Sequence, residues 1–252
     1  MNNGAGEWVI GAGGFTYPSS RNIDRSGFRA TGSQSVTLHS SADWTLDESY
    51  RHMGRDLYII DTANVTIDTT DWFDGTTPRT VTLKGFVNVT SSHATPLTVT
   101  GCGTVVFDTA AGNGDDTNKV NNVLAVTNGA TLKVKAGKTI AGTGTISLAA
   151  GTTLALESTD REFTTPDIVP VTLPSEGVAT INIDGDRLCS GEHVLCTLAS
   201  VPENLADHVT VTGEALDGRK YEVKAVEETE NETTVTKLVA NIQSAGLMLI
   251  FR

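Results

Sequence analysis

The residues of this chain best suited to chemistry are acidic and aromatic side chains gathered within residues 60–75. The acidic members are Asp61, Asp68, Asp71 and Asp74, and the aromatic members are the adjacent Trp72 and Phe73. Carboxylates on neighbouring strands can bind calcium, or act as acid and base on a glycosidic bond. Aromatic rings beside them can stack against a sugar. If the chain is an enzyme, its catalytic candidates are Asp61, Asp68 and Asp71, and Trp72 and Phe73 are the ligand-binding candidates.

The same stretch also has a purely structural interpretation. Aspartate at the end of a strand ordinarily bonds to its own backbone and forms a turn. Residues 60–75 contain no Lys or Arg that could stabilise an enolate, as lyase chemistry requires. The pattern therefore favours turn and surface roles, and with them a protein that is not an enzyme. A polysaccharide lyase, a hydrolase or a carbohydrate-binding module is the alternative.

Two glycine-rich motifs resemble cofactor or metal sites only in part. The segment from Val9 to Gly14 starts like a dinucleotide fingerprint, but Thr16 replaces its third glycine and no helical pattern follows. The segment Asn113-Gly114-Asp115-Asp116 resembles a calcium-binding β-roll repeat but occurs once, whereas that site needs stacked copies. The five histidines lack metal-ligand spacing. We therefore predict no cofactor and no metal site.

The charge balance limits the class of partner. The 252 residues carry 18 Lys and Arg against 30 Asp and Glu, a net charge of −12. Such a chain repels phosphate backbones and anionic bilayers, so nucleic acid is excluded as an expected partner. No apolar run is long enough to span a membrane, so membrane insertion is not expected either. Glycans or other surface proteins are the partners that we expect.

The three cysteines, Cys102, Cys189 and Cys196, are too few for a disulfide framework. Cys189 and Cys196 can pair across a hairpin if the chain is exported, but their spacing alone does not decide this. Cys102 lies between two glycines with no histidine nearby in sequence, so we interpret it as a small residue at a tight corner.

Internal repeats indicate how the chain is built. Residues 98–107 match residues 139–148 in the order of glycines, threonines and apolar positions, and residues 129–134 match 151–156 at an offset of 22 residues. Short alternating strands that repeat at a few tens of residues are typical of a β-solenoid. We expect its interior ladders to contain Val105, Leu124, Leu132, Ile146 and Leu154.

Shifts in composition suggest four segments. Residues 1–34 form an irregular lead-in, 35–157 the β-solenoid, 158–174 a linker that contains Pro166 and Pro170, and 175–252 an antiparallel module. The polar residues 108–122 interrupt the repeat like a protruding loop. The pairs Asp184-Gly185 and Asp217-Gly218 predict hairpin turns in the last segment.

The last segment is expected to cap the solenoid. It covers an open sheet edge that otherwise invites aggregation, and Leu247 to Phe251 form its buried final strand. Truncation at Gly246 is therefore expected to cause aggregation.

The run from Gly142 to Leu156 resembles the glycine-threonine strand repeats of autotransporter passenger domains and related surface proteins of gut bacteria. The resemblance implies an all-β fold, a right-handed parallel β-helix, and display outside the cell or on its surface, without assigned catalytic residues. With the antiparallel, sandwich-like C-terminal module, this predicts a structural or adhesive module. The sequence shows no export signal, so we expect it to be a fragment of a longer protein.

Overall fold

The computed structural model describes residues 6–10, 28–46, 57–109, 118–230 and 233–244, and within them it is an all-β protein. Two short 3-10 helices cover Leu205–Asp207 and Glu214–Leu216. In chain order the strands are β1 Gly6–Ile10, β2 Phe28–Ala30, β3 Ser35–Ser40, β4 Trp44–Leu46, β5 Leu57–Ile59, β6 Asn64–Asp71, β7 Thr80–Leu83, β8 Val87–Val89, β9 Leu97–Thr100, β10 Thr104–Phe107, β11 Lys119–Val120, β12 Val123–Val126, β13 Thr131–Val134, β14 Thr145–Leu148, β15 Thr153–Ser158, β16 Val171–Thr172, β17 Ala179–Gly185, β18 Gly191–Leu198, β19 Val209–Thr212, β20 Tyr221–Glu230 and β21 Thr233–Ile242.

The strands wind into a parallel β-solenoid of about six turns, as the repeats predicted. Three sheets run along it, with ten, seven and four strands in the described residues. The first four turns visit them in order, as β5 lies in the four-stranded sheet, β6 in the ten-stranded sheet and β7 in the seven-stranded sheet. From β14 to β19 the strands alternate between the ten-stranded and seven-stranded sheets. An inner strand of the solenoid thus pairs with its equivalents one turn earlier and one turn later, as β10 pairs with β7 and β13.

The interior consists of aliphatic ladders. In the seven-stranded sheet Val81, Val105, Leu132, Leu154 and Ile181 pair in succession, and all five are fully buried. Leu124 and Ile146 form a similar buried pair in the ten-stranded sheet. The prediction that Val105, Leu124, Leu132, Ile146 and Leu154 point inward is confirmed. A strand's side chains alternate between two faces, so the period-2 pattern selects this register.

A second ladder runs along the outside of the seven-stranded sheet. Its members are all half-buried threonines that pair in succession: Thr80, Thr104, Thr131, Thr153, Thr180 and Thr210. The β-branched side chain suits an extended backbone, and the hydroxyl can remain in water. The solenoid therefore presents a threonine-lined face.

The two sequence repeats have different structural meanings. Residues 129–134 and 151–156 lie one turn apart, because Thr131 pairs with Thr153 and Leu132 with Leu154. Residues 98–107 and 139–148 are not equivalent in this way, because β10 belongs to the seven-stranded sheet and β14 to the ten-stranded sheet. What those two segments share is a Gly-x-Gly corner followed by a strand.

Close packing between turns explains the corner glycines. A Cβ atom on Gly103 would lie 2.1 Å from the Arg79 carbonyl oxygen, and one on Gly144 would lie 2.0 Å from that of Asn122. Each corner thus lies directly on the backbone of the preceding turn. The pair Asn128-Gly129, by contrast, has positive φ at both residues and turns the chain between β12 and β13.

The solenoid extends further than the composition suggested. The predicted linker 158–174 forms part of a turn instead, since β16 pairs in parallel with β14 and Ile168 bridges to Ile140. Its prolines do not interrupt the solenoid, because Pro170 still supplies a carbonyl to the Ile146 amide. Parallel pairing then continues through β17 and β19. The Asp184-Gly185 pair accordingly ends β17 at a corner and does not form a hairpin.

Antiparallel pairing occurs at the C-terminal part of the ten-stranded sheet, as the predicted fold class requires. β21 pairs antiparallel with β18 and with β20, and β20 forms the outer edge. This part therefore extends a solenoid sheet directly. Leu247 to Phe251, the predicted final strand, and residues 110–117 lie outside the described residues. The described part contains no helix that is long and apolar enough to cross a membrane.

Candidate functional site

A short hairpin projects from the solenoid where the chain leaves β6 for β7. Thr70 and Pro78 form an antiparallel bridge, and the Asp71 amide donates to the Thr77 carbonyl at 2.8 Å. The register between β3 and β6 shifts at the base of the hairpin, between His39 and Ser40. Residues 70–79 are called the 70–79 hairpin below, and residues 72–76 are its tip.

Asp71 fastens the base of the hairpin. Its Oδ1 accepts hydrogen bonds from the amides of Phe73 at 2.8 Å and Asp74 at 3.3 Å, and its Oδ2 accepts from Arg79 Nε at 2.7 Å. The Asp71 side chain is only 4% exposed. The Arg79 guanidinium, together with the Phe73 amide, holds the pKa of Asp71 below its ordinary value. This carboxyl is therefore ionised at neutral pH and cannot donate a proton.

Asp74 closes the tip. Its Oδ1 accepts from the amides of Thr76 and Thr77, both at 2.8 Å. The Thr77 hydroxyl and these amides hold the pKa of Asp74 well below its ordinary range. Asp74 therefore has the structural turn role that strand-end aspartates commonly have.

Asp68 contacts His39, a residue that was not predicted from the sequence to lie near it. Asp68 Oδ2 lies 3.2 Å from His39 Nδ1, and Asp68 Oδ1 accepts from the Thr70 amide at 3.0 Å. The His39 ring packs against the Trp72 ring with centroids 4.1 Å apart and planes tilted by 47°. His39 Nε2 is buried and has no hydrogen-bond partner among the described residues.

The tip presents its aromatic residues to solvent. Trp72 is 44% exposed and Phe73 is 80% exposed. Trp72 is covered on one side by His39, and Phe73 has the larger free surface. The candidate ligand-binding residues are therefore accessible.

Asp61 does not belong to this group. It occupies the corner that precedes β6, with a positive φ of 58°, whereas the hairpin follows β6. Its Oδ2 accepts from the Gly32 amide at 2.8 Å, and its backbone carbonyl accepts from the Ser92 hydroxyl. Asp61 thus ties its own turn of the solenoid to the turns on either side.

Two residues of the site, Arg79 and His39, were not among the candidates predicted from the sequence. Arg79 supplies the basic partner that residues 60–75 lack, and the hairpin brings it back to Asp71. His39 was found only by the structure, although a signal existed: residues 35–39, Ser-Val-Thr-Leu-His, match residues 64–68, Asn-Val-Thr-Ile-Asp. These segments pair one turn apart, which sets His39 beside Asp68.

The described residues contain no group of three His, Cys, Asp or Glu side chains arranged to hold a metal ion. Asn113 to Asp116 lie outside them. Cys102, Cys189 and Cys196 are all free, so the possible bridge between Cys189 and Cys196 is not formed. Burial raises the pKa of the Cys196 thiol to about 12, which makes it unsuitable as a nucleophile.

A second charged cluster lies on the outer face of the seven-stranded sheet. Lys133 Nζ lies 2.8 Å from Asp184 Oδ2, and Lys135 Nζ lies 3.0 Å from Glu157 Oε1. Burial raises the pKa of Glu157, but Lys135, the Ala136 amide and Lys133 outweigh it and leave the pKa below its ordinary value. Each lysine of the cluster is paired with a carboxylate on a later turn, so these ion pairs hold successive turns together.

Comparison with known proteins identifies no relative: no family model, no curated protein and no solved structure matches this chain.

Proposed function

We propose that this chain is a non-catalytic structural and adhesive module that works outside the cell or at its surface. The solenoid serves as a rigid support, and the 70–79 hairpin is the feature that it presents. The surface location is supported by the resemblance of residues 142–156 to the repeats of displayed bacterial proteins. The proposed partners are glycans or other surface proteins.

The bonding of the hairpin carboxylates carries this proposal. Both oxygens of Asp71 are engaged by Phe73, Asp74 and Arg79, and Asp74 is engaged by the tip itself. A general acid in a glycosidase needs a raised pKa, whereas the pKa values of Asp71 and Asp74 are lowered. The arrangement suits the holding of a turn better than proton transfer.

A polysaccharide-active enzyme is the second candidate, and one observation favours it. Asp68 and His39 form a carboxylate–imidazole pair beside Asp71 and Arg79, so acidic and basic groups do meet at the base of the hairpin. In this alternative the Asp68–His39 pair accepts or donates the proton that the substrate loses or gains. Arg79 then stabilises the negative charge that develops on the substrate.

The two candidates separate in one experiment. The purified chain is tested on a glycan array and in a polysaccharide-degradation screen, with and without calcium. We expect glycan binding without turnover. Cleavage of a polymer that is lost in Asp68→Asn and Asp71→Asn, but retained in the control Asp61→Asn, would establish the enzyme. If the chain neither binds nor cleaves any glycan, the proposal is reduced to that of a structural spacer.

A further inference from the structure

The hairpin tip is held more firmly than an ordinary surface loop. Asp71 and Asp74 together accept four backbone amide hydrogen bonds within residues 71–77, and Arg79 fastens the base. Cys102, on the next turn, adds a contact from its Sγ to the Thr76 carbonyl oxygen at 3.3 Å. A tip held in this way loses little conformational entropy when it binds a ligand.

Trp72 is held by the solenoid itself. His39 is 9% exposed, is fixed by Asp68, and packs its ring against the indole. His39 belongs to β3 and Trp72 to the next turn, so two successive turns together set the position of this ring. His39 is thus a positioning residue for Trp72.

The surface around the aromatic pair limits the kind of ligand. An aromatic ring carries negative charge on its faces, so it attracts the polarised C–H groups of a pyranose ring. Among the described residues, this part of the surface carries the carboxylates of Asp68, Asp71 and Asp74, and the guanidinium of Arg79 is already paired to Asp71. With a net charge of −12 as well, the tip repels anionic sugars and favours neutral ones.

The size of the tip argues against a protein partner. A stable protein interface needs about 800 Å² from each side. Two aromatic side chains bury about 150–250 Å² each when fully covered, which falls well short of that area. It is sufficient for one or two sugar rings.

We propose that the tip of the 70–79 hairpin is a binding site for neutral oligosaccharides, with Trp72 and Phe73 as the stacking surfaces and His39 as the support of Trp72. This inference rests on the proposed adhesive function and assigns it to a place and a ligand class.

The test is calorimetric titration of the full chain with neutral hexasaccharides of glucose, xylose and mannose, and with a galacturonate hexasaccharide as the anionic comparison. We expect binding of at least one neutral sugar and none of galacturonate. Trp72→Ala should weaken binding at least about tenfold, and Phe73→Ala about threefold or more. Trp8→Ala is the matched control, because Trp8 is also 44% exposed but lies on β1, and it should leave binding unchanged.

The role of His39 needs a separate readout. His39→Ala should weaken binding, and His39→Phe, which keeps a ring against Trp72, should restore it. The thermal midpoint of each variant shows whether the solenoid remains folded. Equal binding by the Ala and Phe variants would contradict the positioning role.

Each result bears on a different claim. Binding that Trp72→Ala and Phe73→Ala leave unchanged would overturn the assignment of the site while leaving an adhesive module in place. Preference for galacturonate, or no binding to any neutral sugar, would overturn the ligand class. Cleavage of the sugar during titration would overturn the proposed non-catalytic function itself.

Discussion

The interior of the solenoid and the 70–79 hairpin are stabilised in opposite ways. Leu132 and its ladder neighbours are fully buried aliphatic residues that repeat from turn to turn. The hairpin is held by ionised carboxylates that accept hydrogen bonds from its own backbone. Apolar burial does not depend on pH, whereas carboxylate bonds do. The solenoid interior is therefore insensitive to pH, whereas the 70–79 hairpin that projects from it is sensitive to pH.

The largest test of this contrast is a charge inside the ladder. Leu132→Asp should lower the free energy of unfolding by about 4–5 kcal/mol, because it buries an unpaired carboxylate. Thr131→Asp, one residue away on the outer face, should cost about 1 kcal/mol or less. Denaturant unfolding followed by circular dichroism measures both. Similar costs for the two variants would contradict the assigned register.

The next test concerns the packing of successive turns. Gly144→Ala should cost about 3 kcal/mol, since its Cβ would lie 2.0 Å from a backbone oxygen that cannot move aside cheaply. Gly137→Ala meets nothing within 4 Å and should cost only about 1 kcal/mol for its positive φ. The same unfolding measurement applies. A reversed order would show that the corners do not lie directly on the preceding turn.

A smaller and local effect is expected from Asp71→Asn. The neutral amide weakens the bonds to Arg79 and to the Phe73 amide, so the hairpin should loosen while the ladders stay intact. Hydrogen exchange should become faster at the amides of Phe73 and Asp74 and stay unchanged at Leu132. Asp61→Asn is the control, because Asp61 serves a different corner. Faster exchange throughout the solenoid would mean that the two regions unfold together.

Acid provides the same perturbation without mutation. The pKa values of Asp71 and Asp74 in the folded chain lie below the ordinary value of 3.8, so their bonds are fully present above pH 3.8. Their contribution is lost as the pH falls below 3.8 and through the lowered pKa values. In a Trp8→Phe background, the remaining tryptophans are Trp72 and the buried Trp44, so acrylamide-quenchable emission reports Trp72. That emission should change in this pH range before the far-ultraviolet circular dichroism does. Simultaneous changes would contradict separate stabilisation.

Thiol reactivity gives the smallest perturbation. Cys102 is exposed beside the hairpin, and Cys196 is fully buried with a pKa of about 12. A disulfide reagent at pH 8 should therefore modify Cys102 in the native protein and reach Cys196 only after unfolding. Cys102→Ser is the control that identifies the fast phase. Fast native labelling of Cys196 would show that β18 opens readily.

The sequence was sufficient for the solenoid because one local rule repeats. Alternation of apolar and polar residues selects which face is buried, and Gly103 and Gly144 mark corners where turns touch. The limits of the solenoid were harder to predict. Pro166, Pro170 and several charges within 158–174 suggested a linker, although the solenoid tolerates them: β16 still pairs with β14, and Pro170, which lacks an amide hydrogen, still accepts a hydrogen bond from Ile146.

The site could be predicted only in part. Asp68, Asp71, Trp72 and Phe73 do meet at one hairpin, but Asp61 lies at the opposite end of β6. The pairing of His39 with Asp68 depends on which residues lie one turn apart. That register becomes visible only when residues 35–39 are aligned with 64–68. Arg79 returns to Asp71 through a hairpin whose tip contains the pair Asp74-Gly75, a turn signal that was not used to predict a hairpin there.

The outer edge of the ten-stranded sheet has a consequence for crowded surfaces. β20 forms this edge and is net acidic, with exposed Glu222, Glu227 and Glu228 against one exposed lysine, Lys224, which pairs with Glu192. When many copies are tethered close together, two such edges that approach each other bring carboxylates against carboxylates. Repulsion between these like charges disfavours the pairing of two edges into one shared sheet. Density on a surface can then increase avidity for a ligand without driving the modules into fibres.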